Sequence, residues 1–212
     1  MRILAFLSVI SLCVFATSSF AITHKVLMEI SVNKKSAGHM VIGLFGSMVP
    51  KTVENFRAMC DNPTAAKKAG FAQSNPLDGN RFHRIFPGYF YEAGDIEHND
   101  GTGGRSIYGK TYPDETFAPR SFPQNGLLAM ANRGTDSNGS QFFFLGSPIA
   151  TYKFQGKYTI FGQIVEGMSA LGKVDRVPTD SQGKPLVDAM IKSCREVSLD
   201  YRLPAKRKLT RR

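Results

Sequence analysis

Short stretches in which every second residue is apolar constrain the fold of this chain most strongly. Residues 26–32 read VLMEISV, with Val, Met, Ile and Val at alternate positions, as expected for a strand with one buried face. Residues 33–38 are predicted to turn the chain, and the alternation returns in residues 40–44. The pattern predicts a β-hairpin.

A change of apolar period at Pro50 predicts a helix. Val53, Phe56 and Cys60 recur at helical spacing, and proline is favoured in the first turn of a helix. Residues 61–80 are rich in Pro, Gly and Asn, and we predict a long surface loop there.

Further short apolar runs, bounded by Gly, Pro or Asn, continue towards the C-terminus. They predict strands at residues 81–85, 89–94, 127–132, 140–145, 159–166 and 190–199, and a second short helix at residues 168–174. Eight short strands and two helices predict an all-β fold, an eight-stranded closed antiparallel barrel capped by two α-helices.

Length and composition allow one domain, preceded by a leader. With 212 residues and 42% hydrophobic content the chain can bury one full core, which we place in residues 22–201. Arg2 precedes an apolar run over residues 3–15, and small residues follow at Ser19 and Ala21, as in a signal peptide. We predict cleavage after residue 21 and entry into the secretory pathway, with the mature protein either in the endoplasmic reticulum lumen or secreted.

A retained membrane anchor is the alternative for residues 1–21. The apolar run is shorter than the ~20 residues that span a bilayer, however, and it ends in small polar residues. We therefore expect no membrane span after the leader is removed.

Positive charge is concentrated at the C-terminus. The formal net charge is +10, and removing Arg2 and the six cations of residues 202–212 leaves +3. We predict that residues 202–212 form a basic disordered tail. Such a tail either binds sulfated glycans or other polyanions, or is a solvated segment without a specific partner.

Two islands of sequence set polar groups among aromatic residues. Residues 82–89 read FHRIFPGY, and residues 138–144 read NGSQFFF. Each is typical of a buried strand that aims a polar group into an apolar pocket. Such a pocket suits a small apolar ring next to a peptide carbonyl.

The order of these islands, with GTGG at residues 101–104 and MAN at residues 130–132 between them, resembles the cyclophilins. Cyclophilins are peptidyl-prolyl cis-trans isomerases, or rotamases, that assist protein folding as chaperones. The resemblance runs from about Lys25 to Leu199. It implies a capped antiparallel barrel, no cofactor, proline-containing client proteins and, as the family's default, a monomer.

The chemistry of such an enzyme explains which residues matter. Rotation about a peptide bond meets a barrier of ~18–20 kcal/mol, and a catalyst must weaken amide resonance. It needs an apolar slot for the proline ring, anchors for the neighbouring backbone and a donor aimed at the proline nitrogen. An arginine in a dry pocket suits the last role, because its guanidinium stays charged. Arg84 matches the family's catalytic arginine.

Other positions match the family's substrate-binding residues. The resemblance implies that the proline pocket is lined by four aromatic residues, Tyr89, Phe90, Phe143 and Phe154. Ordinary core packing is the alternative role for each of them. The resemblance also implies that the substrate backbone is held by Ala131, Asn132 and Gln141, with Asn132 acting through its main chain.

Three positions in the expected binding groove depart from the family pattern. Glu92 stands where most members carry glutamine, and a carboxylate, which cannot donate a hydrogen bond, is expected to pair with Arg84. Lys153 replaces a tryptophan and Tyr158 a histidine of many members. We therefore expect the cyclosporin binding that the resemblance implies to be weakened.

Cys60 and Cys194 are the cysteines that remain after removal of the leader. No histidine lies at zinc spacing from them, and we predict no metal site. The chain resembles the divergent-loop cyclophilins, which implies a Cys60–Cys194 disulfide in an oxidising compartment. Two buried free thiols are the alternative.

Two functions follow from these features. The first is an X-Pro isomerase that acts through Arg84 and assists the folding of secretory-pathway proteins. The second is a proline-binding adaptor or secreted ligand with little turnover, in which Glu92 disables Arg84 and the basic tail binds glycans.

Overall fold

The predicted hairpin is confirmed in the computed structural model, which describes residues 21–115, 125–147, 153–154 and 156–204. Strand β1 (His24–Val32) pairs antiparallel with β2 (Lys35–Leu44). The turn is shorter than predicted, because only Asn33 and Lys34 join the strands. Both have positive φ, 48° and 61°, which is the geometry of a tight two-residue hairpin turn.

Most of the described chain is organised around one antiparallel sheet. The other strands are β3 (Asn80–Arg81), β4 (Arg84–Phe86), β5 (Phe90–Ala93), β6 (Leu127–Met130), β7 (Phe142–Leu145), β8 (Ile160–Glu166) and β9 (Ala189–Val197). Within the described residues the sheet has nine strands in the order β3-β9-β1-β2-β8-β6-β7-β5-β4. The predicted mostly β architecture is confirmed.

Nine strands appear where eight were predicted, because the segment predicted as one strand at residues 81–85 forms two. The Phe82 N–H donates to the Ala189 carbonyl on β9, whereas the His83 N–H donates to the Glu92 carbonyl on β5. The chain thus leaves one edge of the curled sheet and joins the other edge at the next residue. No ladder joins β3 to β4 in the part of the chain that the structure describes, so the closed barrel stays a prediction.

Three helices have both ends within the described residues: α1 (Pro50–Asp61), α2 (Pro63–Lys68) and α3 (Met168–Val174). The sequence predicted α1 and α3, but α2 lies in residues 61–80, which were predicted to be a loop throughout. The Asn62 side chain accepts a hydrogen bond from the Ala65 N–H, and Pro63 occupies the first turn. An Asn-Pro pair that is typical of turns here begins a short helix.

Strands β4, β5 and β7 place the site on one side of the sheet and the core on the other. Ile85 and Phe144 point into the core and are fully buried. On the opposite face the register pairs Arg84 with Glu92, and Glu92 with Phe143. Alternation along the strands therefore puts these three side chains next to one another.

Both ends of the chain carry predictions that extend outside the described residues. Of the predicted leader only Ala21 is described, and of the predicted tail only residues 202–204. Within the tail, the Leu203 N–H donates to Glu166 Oε2 at 2.7 Å, and Arg202 Nη1 lies 3.2 Å from Glu166 Oε1. The chain therefore stays in contact with β8 as far as residue 203. Among the described residues, no helix combines the length and the apolarity that a membrane crossing requires.

Candidate active site

Arg84 and Glu92 form the polar centre of the site. Glu92 Oε2 lies 3.9 Å from Arg84 Nη1, and its Oε1 lies 3.9 Å from His83 Nε2. The side chain of Glu92 is 16% exposed and that of His83 only 5%. The carboxylate therefore faces the guanidinium of Arg84 with one oxygen and the buried imidazole of His83 with the other. The sequence predicted the first of these contacts but not the second.

Aromatic rings hold the Arg84 guanidinium in place. Its Cζ lies 4.9 Å from the centroid of the Phe86 ring and 5.4 Å from that of Phe90, within the range of a cation–π contact. The Arg84 side chain is 51% exposed, so the dry setting expected from the sequence is not present at the arginine itself. A substrate lying across Arg84 would exclude water from the guanidinium.

The expected proline pocket is a continuous aromatic surface beside Arg84. Its members are Tyr89, Phe90, Phe143, Phe154 and Tyr158, and neighbouring rings have centroids 5.2–6.0 Å apart. Such distances are those of packed aromatic pairs. Burial raises the pKa of Tyr158, and the Glu92 carboxylate raises it further, so its hydroxyl stays neutral. The structure thus brings together the four rings expected to line the pocket and Tyr158, the residue that replaces a histidine of many members.

The three expected backbone anchors lie side by side next to this surface. The Ala131 N–H donates to the Gln141 carbonyl at 2.9 Å. Asn132 Nδ2 donates to the Lys157 carbonyl at 3.1 Å, so the side chain is already engaged. Gln141 Nε2 donates to the carbonyls of Gly101 and Gly103, which ties the anchors to the glycine-rich loop.

Asp95 organises the glycine-rich loop, a role that the sequence analysis missed. Its two carboxylate oxygens accept five backbone N–H groups, those of Glu97, His98, Asp100, Gly101 and Gly103. Burial by itself raises the pKa of Asp95, but the backbone donors outweigh burial and lower it to about 2. The available signal was an aspartate six residues before the Gly-rich segment that begins at Gly101.

Asp95, His98 and Asp100 are the described residues whose ligand atoms come close enough for a metal ion, within 4.8 Å of one another. The five N–H donors already occupy the Asp95 carboxylate, however. The group is therefore explained as the support of the loop rather than as a metal centre.

His83 is the second residue that the sequence analysis missed. Its ring packs against Gly101, where an added Cβ would lie 2.7 Å from His83 Cδ2. Gly101 also has a φ of +91°, so glycine is required there for two reasons. His83, Arg84, Glu92, Gly101 and Gln141 are among the residues that border a cavity of about 790 Å³. The signal for His83 was its place between Phe82 and Arg84 in the first island.

Cys60 and Cys194 lie outside the site and join α1 to β9. Their Cα atoms are 4.9 Å apart, and the structure has them bonded as a disulfide. Both residues are buried. The Cys194 N–H donates to Asp78 Oδ1 at 2.8 Å, so the bond lies beside the segment that follows α2.

Comparison with known proteins agrees with this geometry. The sequence model of the family described as "Cyclophilin type peptidyl-prolyl cis-trans isomerase/CLD" matches residues 27–196. A Saccharomyces cerevisiae protein named peptidyl-prolyl cis-trans isomerase B is 40% identical over 175 residues, which cover 82% of this chain and 80% of that protein. A Calliphora vicina protein named the rhodopsin-specific isozyme is 37% identical over 197 residues, covering 93% and 79%.

A Rhizopus delemar protein named peptidyl-prolyl cis-trans isomerase cyp11 is 42% identical over 180 residues. The match covers 84% of this chain but 52% of that relative. The chain therefore spans about half the length of this longer protein.

Proposed function

Because the chain belongs to the cyclophilin-type peptidyl-prolyl cis-trans isomerases, we propose that it catalyses rotation about X-Pro peptide bonds of client proteins. The observation that carries this proposal is the position of Arg84. Its guanidinium is held by Phe86 and Phe90 at the edge of an aromatic pocket, and the backbone anchors lie just beyond the ends of β6 and β7.

The geometry suggests how the residues share the work. The proline ring enters the aromatic pocket, and the backbone that precedes it lies along Ala131, Asn132 and Gln141. Arg84 then donates to the proline nitrogen as it becomes pyramidal and regains its lone pair. This donation weakens amide resonance in the transition state more than in the ground state, which is what lowers the barrier.

Replacement of Arg84 tests the proposal. Isomerisation of a proline peptide is measured by a protease-coupled assay for the wild type, for Arg84→Ala and for Arg195→Ala. Arg195 is the matched control, an exposed arginine on β9 whose guanidinium stacks on Tyr201. We expect Arg84→Ala to lower kcat/KM by roughly 100-fold or more and Arg195→Ala to leave it unchanged. Full activity in Arg84→Ala would contradict the assignment.

The second candidate is a proline-binding adaptor, which the Arg84–Glu92 pair favours because the carboxylate attracts the guanidinium away from a substrate. In that case the same peptide binds to the wild type, as measured by calorimetry, but is not turned over. The Glu92, Lys153 and Tyr158 departures also support weak binding of cyclosporin, which displacement of the peptide by cyclosporin would measure.

We also propose that the protein works in the secretory pathway, in the endoplasmic reticulum lumen or after secretion. Support comes from the leader pattern in residues 1–21 and from the Cys60–Cys194 pair, since structural disulfides persist in oxidising compartments. N-terminal sequencing of the protein made in a eukaryotic host tests this: a mature chain that begins at Ile22 is expected, and an intact Met1 contradicts it.

A further inference from the structure

Two cations, Lys153 and Arg84, border the aromatic pocket of the site. Lys153 Nζ lies 5.5 Å from the centroid of the Tyr89 ring, and Arg84 Cζ lies 5.4 Å from that of Phe90. The centroids of Tyr89 and Phe90 are 5.5 Å apart. A group bound against these two rings therefore has a positive charge near each ring.

The carboxylates near the aromatic pocket do not neutralise the charge of Lys153. Glu92 faces Arg84 and His83. Asp175 accepts hydrogen bonds from the Gly88 N–H and the Tyr91 hydroxyl, both at 2.6 Å. Among the described residues, Lys153 has no carboxylate oxygen within 4.0 Å. Its charge is therefore available to a ligand.

The strand register shows which end of the groove Lys153 occupies. Strand β7 runs antiparallel to β5, so that Leu145 faces Phe90 while Phe142 faces Ala93. Gln141 and Tyr89 are therefore at opposite ends of this strand pair, roughly 17 Å apart along the strands. Under the proposed function the residues before the proline lie at the Gln141 end. Those that follow it run towards Tyr89 and Lys153.

We propose that Lys153 makes the site select X-Pro bonds in which an acidic residue follows the proline. The inference rests on the proposed isomerase function and adds the substrate class to it. An exposed ion pair of this kind contributes a modest discrimination, and salt screens it. It acts on the substrate side chain and not on the bond that rotates.

The test uses three peptides that differ only in the residue after proline: Glu, Gln or Lys. Isomerisation is measured by NMR exchange, which avoids a protease with its own sequence preference. We expect kcat/KM for the Glu peptide to exceed that for the Gln peptide by about threefold and the Lys peptide to be slowest. The differences should disappear near 1 M salt, where the screening length is about 3 Å.

Charge variants assign the preference to this lysine. Lys153→Gln should equalise the three peptides, and Lys153→Glu should favour the Lys peptide. The matched control is Lys35→Glu, which alters an exposed lysine at the start of β2 and should retain the wild-type order. A second peptide set with the charge before proline should show no dependence on Lys153.

Equal kcat/KM values for the three peptides in the wild type, or a preference for Glu that survives in Lys153→Glu, would overturn the inference and leave the isomerase assignment intact. Absence of isomerisation with every peptide would overturn the proposed function and the inference with it. The two failures are therefore distinguishable.

Discussion

Arg84 on β4 lies directly opposite Glu92 on β5, with Nη1 and Oε2 3.9 Å apart. The pair joins the residue proposed to stabilise the transition state to the principal departure from the family pattern. At this separation the carboxylate attracts the guanidinium without forming the short bidentate contact typical of the strongest arginine pairs. The arrangement therefore leaves Arg84 able to turn towards a substrate, at the cost of weakening its contact with Glu92.

We predict that Glu92→Gln raises kcat/KM for a proline peptide. The amide supplies a neutral donor beside the substrate carbonyl and releases Arg84 from its ionic partner. The gain should be about 1 kcal/mol, or about fivefold, comparable to one hydrogen-bond adjustment. Glu29→Gln is the control. Glu29 on β1 pairs with Lys192 on β9, and neither strand is a neighbour of β4 or β5 in the sheet. A tenfold decrease in Glu92→Gln would show that the carboxylate orients Arg84 productively.

The Asp95 carboxylate should make stability depend on acid pH. Its folded-state pKa of about 2 lies below the unfolded value of about 3.9, so the unfolded state binds a proton first as the pH falls. The stabilisation is complete above about pH 5 and is lost progressively as the pH falls towards 1. It amounts to about 2 kcal/mol.

Urea unfolding at several pH values between 6 and 2 measures this stabilisation. Asp95→Asn should be less stable near neutral pH and show a flatter dependence in this window. Asp188→Asn, which removes an exposed carboxylate paired with Arg81, should keep the wild-type slope. An unchanged slope in Asp95→Asn would contradict the role assigned to the carboxylate.

The mature protein should contain no free thiol. The Cys60–Cys194 bond closes a loop of sequence separation 134, for which chain entropy gives an upper limit of about 5 kcal/mol of stabilisation. Alkylation of the unfolded protein without reductant, followed by mass measurement, should add nothing. The Cys60→Ser variant and the double variant Cys60→Ser, Cys194→Ser should be destabilised equally, because the disulfide is absent from both. Two alkylated cysteines in the wild type would rule the bond out.

Asn138 should remain without a glycan even in a secreted protein. It begins the sequon Asn138-Gly139-Ser140, but its side chain is buried, and Nδ2 donates to Asp114 Oδ1 at 2.7 Å. A glycan on this nitrogen cannot be accommodated in the folded domain. Endoglycosidase treatment of protein from a eukaryotic host should leave the mass unchanged, and a mass loss would contradict this expectation.

Removing residues 205–212 should weaken heparin binding and leave isomerase activity unchanged. The deletion takes away five cations, Lys206, Arg207, Lys208, Arg211 and Arg212, and keeps the contact of Leu203 with Glu166. The shortened protein should leave a heparin column at lower salt, because polyanion binding is screened by ions. A neutral tail of equal length is the control. Elution of all three proteins at the same salt concentration would exclude the tail as the binding element.

Features governed by neighbouring residues were accessible from the sequence. The alternation in residues 26–32 predicts β1, the spacing of Val53, Phe56 and Cys60 predicts α1, and the two aromatic islands contain Tyr89 and Phe143 of the expected proline pocket. In each case the pattern of residues a few positions apart decides which face is buried. The resemblance then supplied the role of Arg84, which periodicity alone does not indicate.

The tertiary structure decided the features that depend on partners distant in the sequence. The N-terminus of α1 is satisfied by the Glu115 carboxylate, which accepts the N–H groups of Lys51 and Thr52. The buried ring of His83 packs against Gly101, which is 18 residues further along the chain.

Dependence on partners distant in the sequence also explains the break between β3 and β4 and the position of Lys153. Residues 82 and 83 form hydrogen bonds with opposite edges of the sheet, and Lys153 comes to lie over Tyr89. Local periodicity determined the strands and their buried faces, because it depends on adjacent residues. Which side chains meet across the fold was decided by contacts between segments that are distant in the sequence, because these contacts depend on how the whole sheet curls.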